Sequence, residues 1–201
     1  MTNKIIAAFD FDGTITTRDT FLAFLARVFG KPKLYGALFC LSGEALRVWL
    51  GRASRDRFKA LLMGRLFSGC AVAELRRIGA EHAAFITRWC RPAALERIRW
   101  HKEQGHRLVM VSASLSFYLE PIARQLGFDD LLCTELASTE GVCSGELQGE
   151  NCRAAEKVRR LQSLLGALDD YEIYAYGDSD GDTEMLAAAD HPAFKPFRAL
   201  P

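Results

Sequence analysis

Apolar residues gather in three short, nearly continuous runs, separated by long stretches in which they recur every three or four positions. The runs are KIIAAF (Lys4 to Phe9), RLVMV (Arg107 to Val111) and EIYAY (Glu172 to Tyr176). A strand that shows no polar alternation is covered on both faces, as the strands of a parallel sheet are. Each run ends at a polar or glycine-containing turn. Helical periodicity occupies Pro92 to Gly105 before the second run, Leu115 to Gly127 after it, and Ala154 to Gly166 before the third. Strands alternating with helices predict an α/β fold built on a parallel sheet.

From about Thr20 to Cys90 the pattern changes to helix after helix. The stretches are FLAFLARVF, LYGALF through EALRVWL, DRFKALLMGRLF and VAELRRIGAEHAAFITRW, with breaks at Gly30-Lys31-Pro32, Gly51 to Ser54 and Ser68-Gly69-Cys70. An all-helical subdomain of about seventy residues inserted into the α/β core fits this pattern. It divides the chain into a core of residues 1–18 and 91–201 and an insert of residues 19–90. A short hairpin is expected around Glu140-Gly141, and no repeat or low-complexity segment appears.

Composition narrows the class. A chain of 201 residues with 49% hydrophobic and 25% charged residues is globular, which excludes disordered and collagen-like proteins. The 26 basic and 25 acidic residues leave a charge of +1, so nothing general favours nucleic acid as a partner. Six cysteines without a CxxC pair and four histidines without ligand spacing read as free thiols in a reducing, cytoplasmic compartment. The opening MTNKIIAAFD is too short in apolar residues for a signal peptide. LYGALFCLSG falls short of the ~20 residues that span a bilayer. Within KPKLYGALFCLSGEALRVWLGR the apolar residues are expected to build the insert's own core; the second reading of this basic-flanked stretch is contact with a lipid surface.

The chemistry gathers where the strands end. The first run leads into Asp10-Phe11-Asp12-Gly13-Thr14, the second into Ser112-Ala113-Ser114, and the third into Gly177-Asp178-Ser179-Asp180-Gly181-Asp182. Open parallel sheets bind ligands beyond these carboxyl ends. Carboxylates crowded there repel by several kcal/mol per close pair at intermediate dielectric, so a cation is called for. Oxygen ligands with no histidine or cysteine nearby favour Mg²⁺ over zinc, and Mg²⁺ with an open side serves phosphate chemistry. Thr14, Ser112, loop N–H groups such as that of Ala113, and Lys157 are candidate phosphate ligands.

Blander readings compete. Asp10 and Asp12 could cap a helix, Lys157 could be solvated, and Ser114 and Ser116 could cap the helix that follows them. A calcium loop at DSDGDTEMLAAAD is excluded, because its sixth residue is Thr183 and its twelfth Ala189.

Taken in order and spacing, DFDGT, Ser112 after an apolar strand, Lys157 and GDSDGD resemble the four motifs of the haloacid-dehalogenase-like superfamily, along the length of the chain. The helical insert between the first and second motifs makes it similar to the phosphoserine-phosphatase-like branch. The resemblance implies a Rossmann-like core under a helical cap, with Asp10 as nucleophile forming an aspartyl-phosphate and Asp12 as general acid and then base. It implies that Ser112 and Lys157 hold phosphate, that Asp10, the backbone carbonyl of Asp12, and Asp178 bind Mg²⁺, and that Asp182 and Ser179 support them from behind. For substrate it points to Asp19 and to Arg65 in the cap, and to a small phosphomonoester of the phosphoserine kind. Two other readings are a lipid-phosphate phosphatase resembling phosphatidylglycerophosphatases, and a protein that binds a phosphorylated ligand or passes its phosphoryl group on without hydrolysis.

Overall fold

A computed structural model describes residues 4–198. The strands are β1 (Lys4–Phe9), β2 (Arg107–Leu115), β3 (Asp130–Thr134), β4 (Leu136–Thr139), β5 (Val142–Leu147), β6 (Tyr171–Gly177) and β7 (His191–Phe194). Five of them form a parallel sheet in the order β3-β2-β1-β6-β7, the Rossmann-like α/β arrangement. The three apolar runs are its central strands. Phe9 pairs with both Met110 and Tyr176, so Asp10, Val111 and Gly177 follow at one level of the sheet.

Both faces are covered, as the apolar runs require. Ala7, Phe9, Leu108 and Met110 belong to one core; Ile6, Ala8, Val109, Val111, Ile173 and Ala175 belong to the other. The helices are α1 (Phe21–Cys40), α2 (Ser42–Trp49), α3 (Arg55–Phe67), α4 (Val72–Ile86), α5 (Pro92–Glu103), α6 (Ser116–Leu126), α7 (Ala155–Leu165) and the short α8 (Thr183–Ala187).

Several details depart from the sequence reading. β2 does not turn at Ser112 but runs on to Leu115, because Ser112 pairs with Cys133 of β3 before the register shifts. The edge strands β3 and β7 were not anticipated. β3 opens on Asp130 and is buried only at its end, and β7 carries Pro192 and is mostly exposed, so neither presents a continuous apolar run. The break expected at Gly30-Lys31-Pro32 is a bend within α1 at Gly30, whose φ is +76°. Conversely, Leu41 separates α1 from α2, where one helix was expected.

The helices between β1 and α5 are anchored by close backbone contacts. A Cβ on Gly79 of α4 would sit 2.1 Å from the carbonyl oxygen of Phe117 in α6. The hairpin of β4 and β5 turns at Glu140-Gly141 as expected and lies against α3. There a Cβ on Gly145 would come within 2.9 Å of Gly64 Cα, and Cys143 N donates to Cys70 O at 2.8 Å. All six thiols are unpaired. Among the described residues no helix is long and apolar enough to cross a membrane.

Candidate active site

β1 delivers Asp10 to the carboxyl edge, where its N–H donates to Tyr176 O at 2.9 Å. The chain then makes a tight turn through Phe11–Ile15 with Gly13 at φ +81°. Glycine is needed twice over, since a Cβ there would lie 2.4 Å from Asp178 Oδ2.

Lys157 of α7 closes the site from the side. Its ammonium is 2% exposed and donates to Asp10 Oδ1 at 2.7 Å, Asp182 Oδ1 at 2.6 Å and Val111 O at 2.8 Å. Three donors meet three acceptors, which is how a buried charge is tolerated. Burial opposes the ammonium, but Asp10 and Asp182 outweigh it and hold the Lys157 pKa above its ordinary value. Burial likewise raises the Asp182 carboxyl, yet Lys157 and the N–H groups of Ser179 and Asp178 leave it below the usual range. Asp182 Oδ2 accepts from Asp178 N, Ser179 N and Ser179 Oγ, each at 3.0 Å. Burial pushes Asp10 up to about 7 against the pull of Lys157.

Asp12 has partners other than those of Asp10. Its Oδ1 accepts from Thr20 N at 2.7 Å and Thr20 Oγ1 at 2.6 Å, and its Oδ2 accepts from Ser114 Oγ. Burial, then the charge of Asp19, pushes Asp12 up to about 6 in spite of these donors.

A cavity of about 510 Å³ opens over this edge, lined by Asp10, Asp12, Ser112, Ala113, Lys157, Asp178, Ser179 and Asp182. α3 supplies its other wall with Arg55, Asp56 and Lys59. Lys59 was missed in the sequence. Its ammonium donates to Ala113 O and, at 2.7 Å, to Asn151 Oδ1, and burial brings its pKa down to about 8. Asn151 in turn donates to Asp56 Oδ1 at 2.5 Å. The only signal for this set in the sequence was helical spacing, 55, 56 and 59 on one face of α3.

Two expectations need correction. Arg65 does not reach the cavity: it lies six residues beyond Lys59, well over a turn around α3, with its guanidinium on Cys40 Sγ at 3.1 Å. Thr14 is not a cavity residue either; its side chain is 2% exposed and its hydroxyl has no partner among the described residues. Ser114 holds Asp12 and does not cap α6. Asp19 does line the cavity, while its Oδ1 also accepts from Phe21 N at 2.9 Å, capping α1.

The donor set suits a hard divalent cation. Asp10, Asp178 and Asp182 each bring a carboxylate oxygen within 4.8 Å of the others, with no nitrogen or sulfur ligand among them. Asp182 is already saturated by Lys157 and three further contacts, which leaves Asp10 and Asp178 as the available pair. Asp178 Oδ2 accepts from Arg198 at 2.6 Å, so a cationic group already sits there.

Known proteins share this sequence and fold. The model of haloacid dehalogenase-like hydrolases matches residues 7–187. The chain belongs to that family. It is a phosphatase of the family, similar to its phosphoserine-phosphatase-like members. Protein CicA of Caulobacter vibrioides is 39% identical over 199 residues, 98% of this chain and 88% of CicA. A probable phosphatase of Mycobacterium tuberculosis is 31% identical over 206 residues, 98% of this chain and 71% of its own length. In structure, a Bordetella pertussis protein of unknown function aligns with a TM-score of 0.80 at 27% identity, covering 93% of this chain and 87% of that one. A substrate-bound phosphoserine phosphatase shares the fold, with a TM-score of 0.61 at 18% identity over 94% of this chain and 84% of its own.

Proposed function

We propose that the protein is a Mg²⁺-dependent hydrolase of phosphomonoesters that works through an aspartyl-phosphate on Asp10. The observation that carries this reading is the asymmetry of the Asp10 carboxylate. Oδ1 is held by Lys157, and Oδ2 carries no hydrogen bond among the described residues while the side chain faces the cavity.

In this reading Oδ2 of Asp10 attacks phosphorus, and the bond from phosphorus to the ester oxygen breaks. Asp12, raised to about 6, gives its proton to the leaving alkoxide. It then takes a proton from water as that water attacks the aspartyl-phosphate, releasing inorganic phosphate and restoring the Asp10 carboxylate. Thr20 and Ser114 keep Asp12 aimed through both steps. Ser112, the Ala113 N–H and Lys157 hold phosphoryl oxygens. Asp10, the Asp12 carbonyl and Asp178 would hold Mg²⁺, which supplies neutralisation of the phosphoryl oxygens; Asp182 and Ser179 support that set.

Residues 19–90 act as a cap on the core of 1–18 and 91–201. Support comes from α3, whose Arg55, Asp56 and Lys59 line the same cavity as Asp10. The cap excludes water during attack by Asp10 and selects the leaving group. A small ester of the phosphoserine kind, met by Asp19 and the α3 cations, fits that lining; a phosphoserine phosphatase of Pseudomonas syringae is 35% identical over 99 residues.

Phosphate release from phosphoserine, sugar phosphates and nucleotides, with Mg²⁺ and with chelator, tests the reading. Metal-dependent turnover that disappears in Asp10→Asn is expected. Phosphorylated ligands that bind without any release of phosphate would overturn it in favour of a binding or transfer protein.

A further inference from the structure

The stretch from Lys31 to Arg57 only partly builds a core. Leu34 and Ala37 of α1 are buried, but Tyr35 and Phe39, one turn apart on the other side, are 62% and 81% exposed. α2 buries no residue at all. Its Leu46 and Trp49, with Leu50 just past its end, follow the i, i+3, i+4 spacing of one helical face and are 55%, 80% and 48% exposed. Five large apolar side chains thus stand in solvent on two helices joined at Leu41.

Charge indicates what covers them. Residues 31–57 carry six basic side chains, Lys31, Lys33, Arg47, Arg52, Arg55 and Arg57, against Glu44 and Asp56, in a chain whose net charge is only +1; Arg47 and Arg57 share Glu44 and Arg55 meets Asp180, while Lys31, Lys33 and Arg52 have no ion-pair partner among the described residues. A symmetric pairing of two copies through this face would set the positive patch against itself. Aromatic and aliphatic side chains among lysines and arginines match an anionic bilayer surface instead: the rings enter the headgroup boundary and the long cations reach the phosphates. The patch also adjoins the cavity. Arg55 lines the space above Asp10 and, with Ala45, Val48 and Phe58, a shallow apolar pocket of about 200 Å³.

We propose that the exposed face of α1 and α2 docks the protein on an anionic lipid surface, so that the cavity meets the phosphomonoester headgroup of an amphiphile. The docking stands on the patch alone; the headgroup as substrate rests on the hydrolase reading above.

Sedimentation of the full chain with vesicles tests it. The protein is expected to pellet with vesicles of phosphatidylcholine mixed with phosphatidylglycerol and to stay in solution with phosphatidylcholine alone. Phe39→Ser with Trp49→Ser, and separately Arg47→Gln with Arg52→Gln, weaken the association roughly tenfold or more, with thermal midpoints near that of the wild type. On vesicles containing phosphatidic acid, phosphate release falls in both pairs of variants while release from p-nitrophenyl phosphate is unchanged. Asp10→Asn still pellets, so loss of hydrolysis with docking intact counts against the hydrolase reading and not against the surface. Equal behaviour with both vesicle types, or variants that pellet like the wild type, would overturn the docking. A dimer in solution that the Phe39 and Trp49 variants dissolve would also overturn it and assign the patch to a protein partner. Docking without hydrolysis of phosphatidic acid, by an enzyme active on water-soluble esters, would overturn the headgroup as substrate.

Discussion

At the carboxyl edge of the sheet, Lys157 is 2% exposed and shares its protons among three oxygens, and Asp182 accepts from four donors. On α2, some of the largest apolar side chains of the protein face solvent and no residue is buried. The first region holds Lys157 and Asp182 with partners from within the chain, leaving Asp10 Oδ2 and Asp178 for a cation, and is preorganised: charge is positioned before a substrate arrives. The second leaves its hydrophobic needs unmet within the chain. Chemistry therefore belongs to the rigid edge, and what the enzyme approaches is set by the helices above it.

The largest expected difference between the regions is catalytic. Asp10→Asn should lower kcat by ~10⁴-fold or more, and Asp12→Asn by ~10²–10⁴-fold, with circular dichroism unchanged. Next comes stability. Lys157→Met strands Asp10 and Asp182 as buried charges and should cost about 3–5 kcal/mol in denaturant unfolding, whereas Trp49→Ser should stay within about 0.5 kcal/mol of the wild type. A comparable loss for both would mean that α2 is as integral to the fold as the sheet edge.

Lys59 of α3, in the wall of the cavity, has a pH signature. Because burial lowers its pKa from 10.5 to about 8, its charged form burdens the folded state most fully below pH 8. That burden fades as pH rises from about 8 towards 10.5. Lys59→Met should therefore gain stability relative to the wild type below pH 8 and lose that advantage above it. An NMR titration of the labelled amine should show a midpoint near 8. A midpoint at the ordinary value would mean that the α3 wall is open to water.

The smallest effect concerns Arg198. Its contact with Asp178 is half exposed, so Arg198→Ala should tighten Mg²⁺ binding only roughly two- to fivefold, read by calorimetry without substrate.

What was legible in the sequence follows the same division. β1, β2 and β6 could be read because central strands bury both faces, and Asp10, Asp12, Asp178 and Asp182 because they sit one to a few residues past those strand ends. β3 and β7 could not, because an edge strand of four or five partly exposed residues leaves no run to detect. Lys59 and Asn151 are 92 residues apart and meet only through tertiary packing. Arg65 had the right residue type on the wrong face of α3, and the exposure of Phe39 and Trp49 depended on which helical faces found partners.

The most direct test is to quench a single turnover in acid and map the phosphoryl group by mass spectrometry. A hydroxylamine-labile phosphoryl group on the peptide bearing Asp10, formed with Mg²⁺ and absent in Asp10→Asn, is the expected result. Full turnover with no phosphorylated peptide at any time, together with inversion of configuration at phosphorus, would contradict it by showing that water attacks the substrate directly.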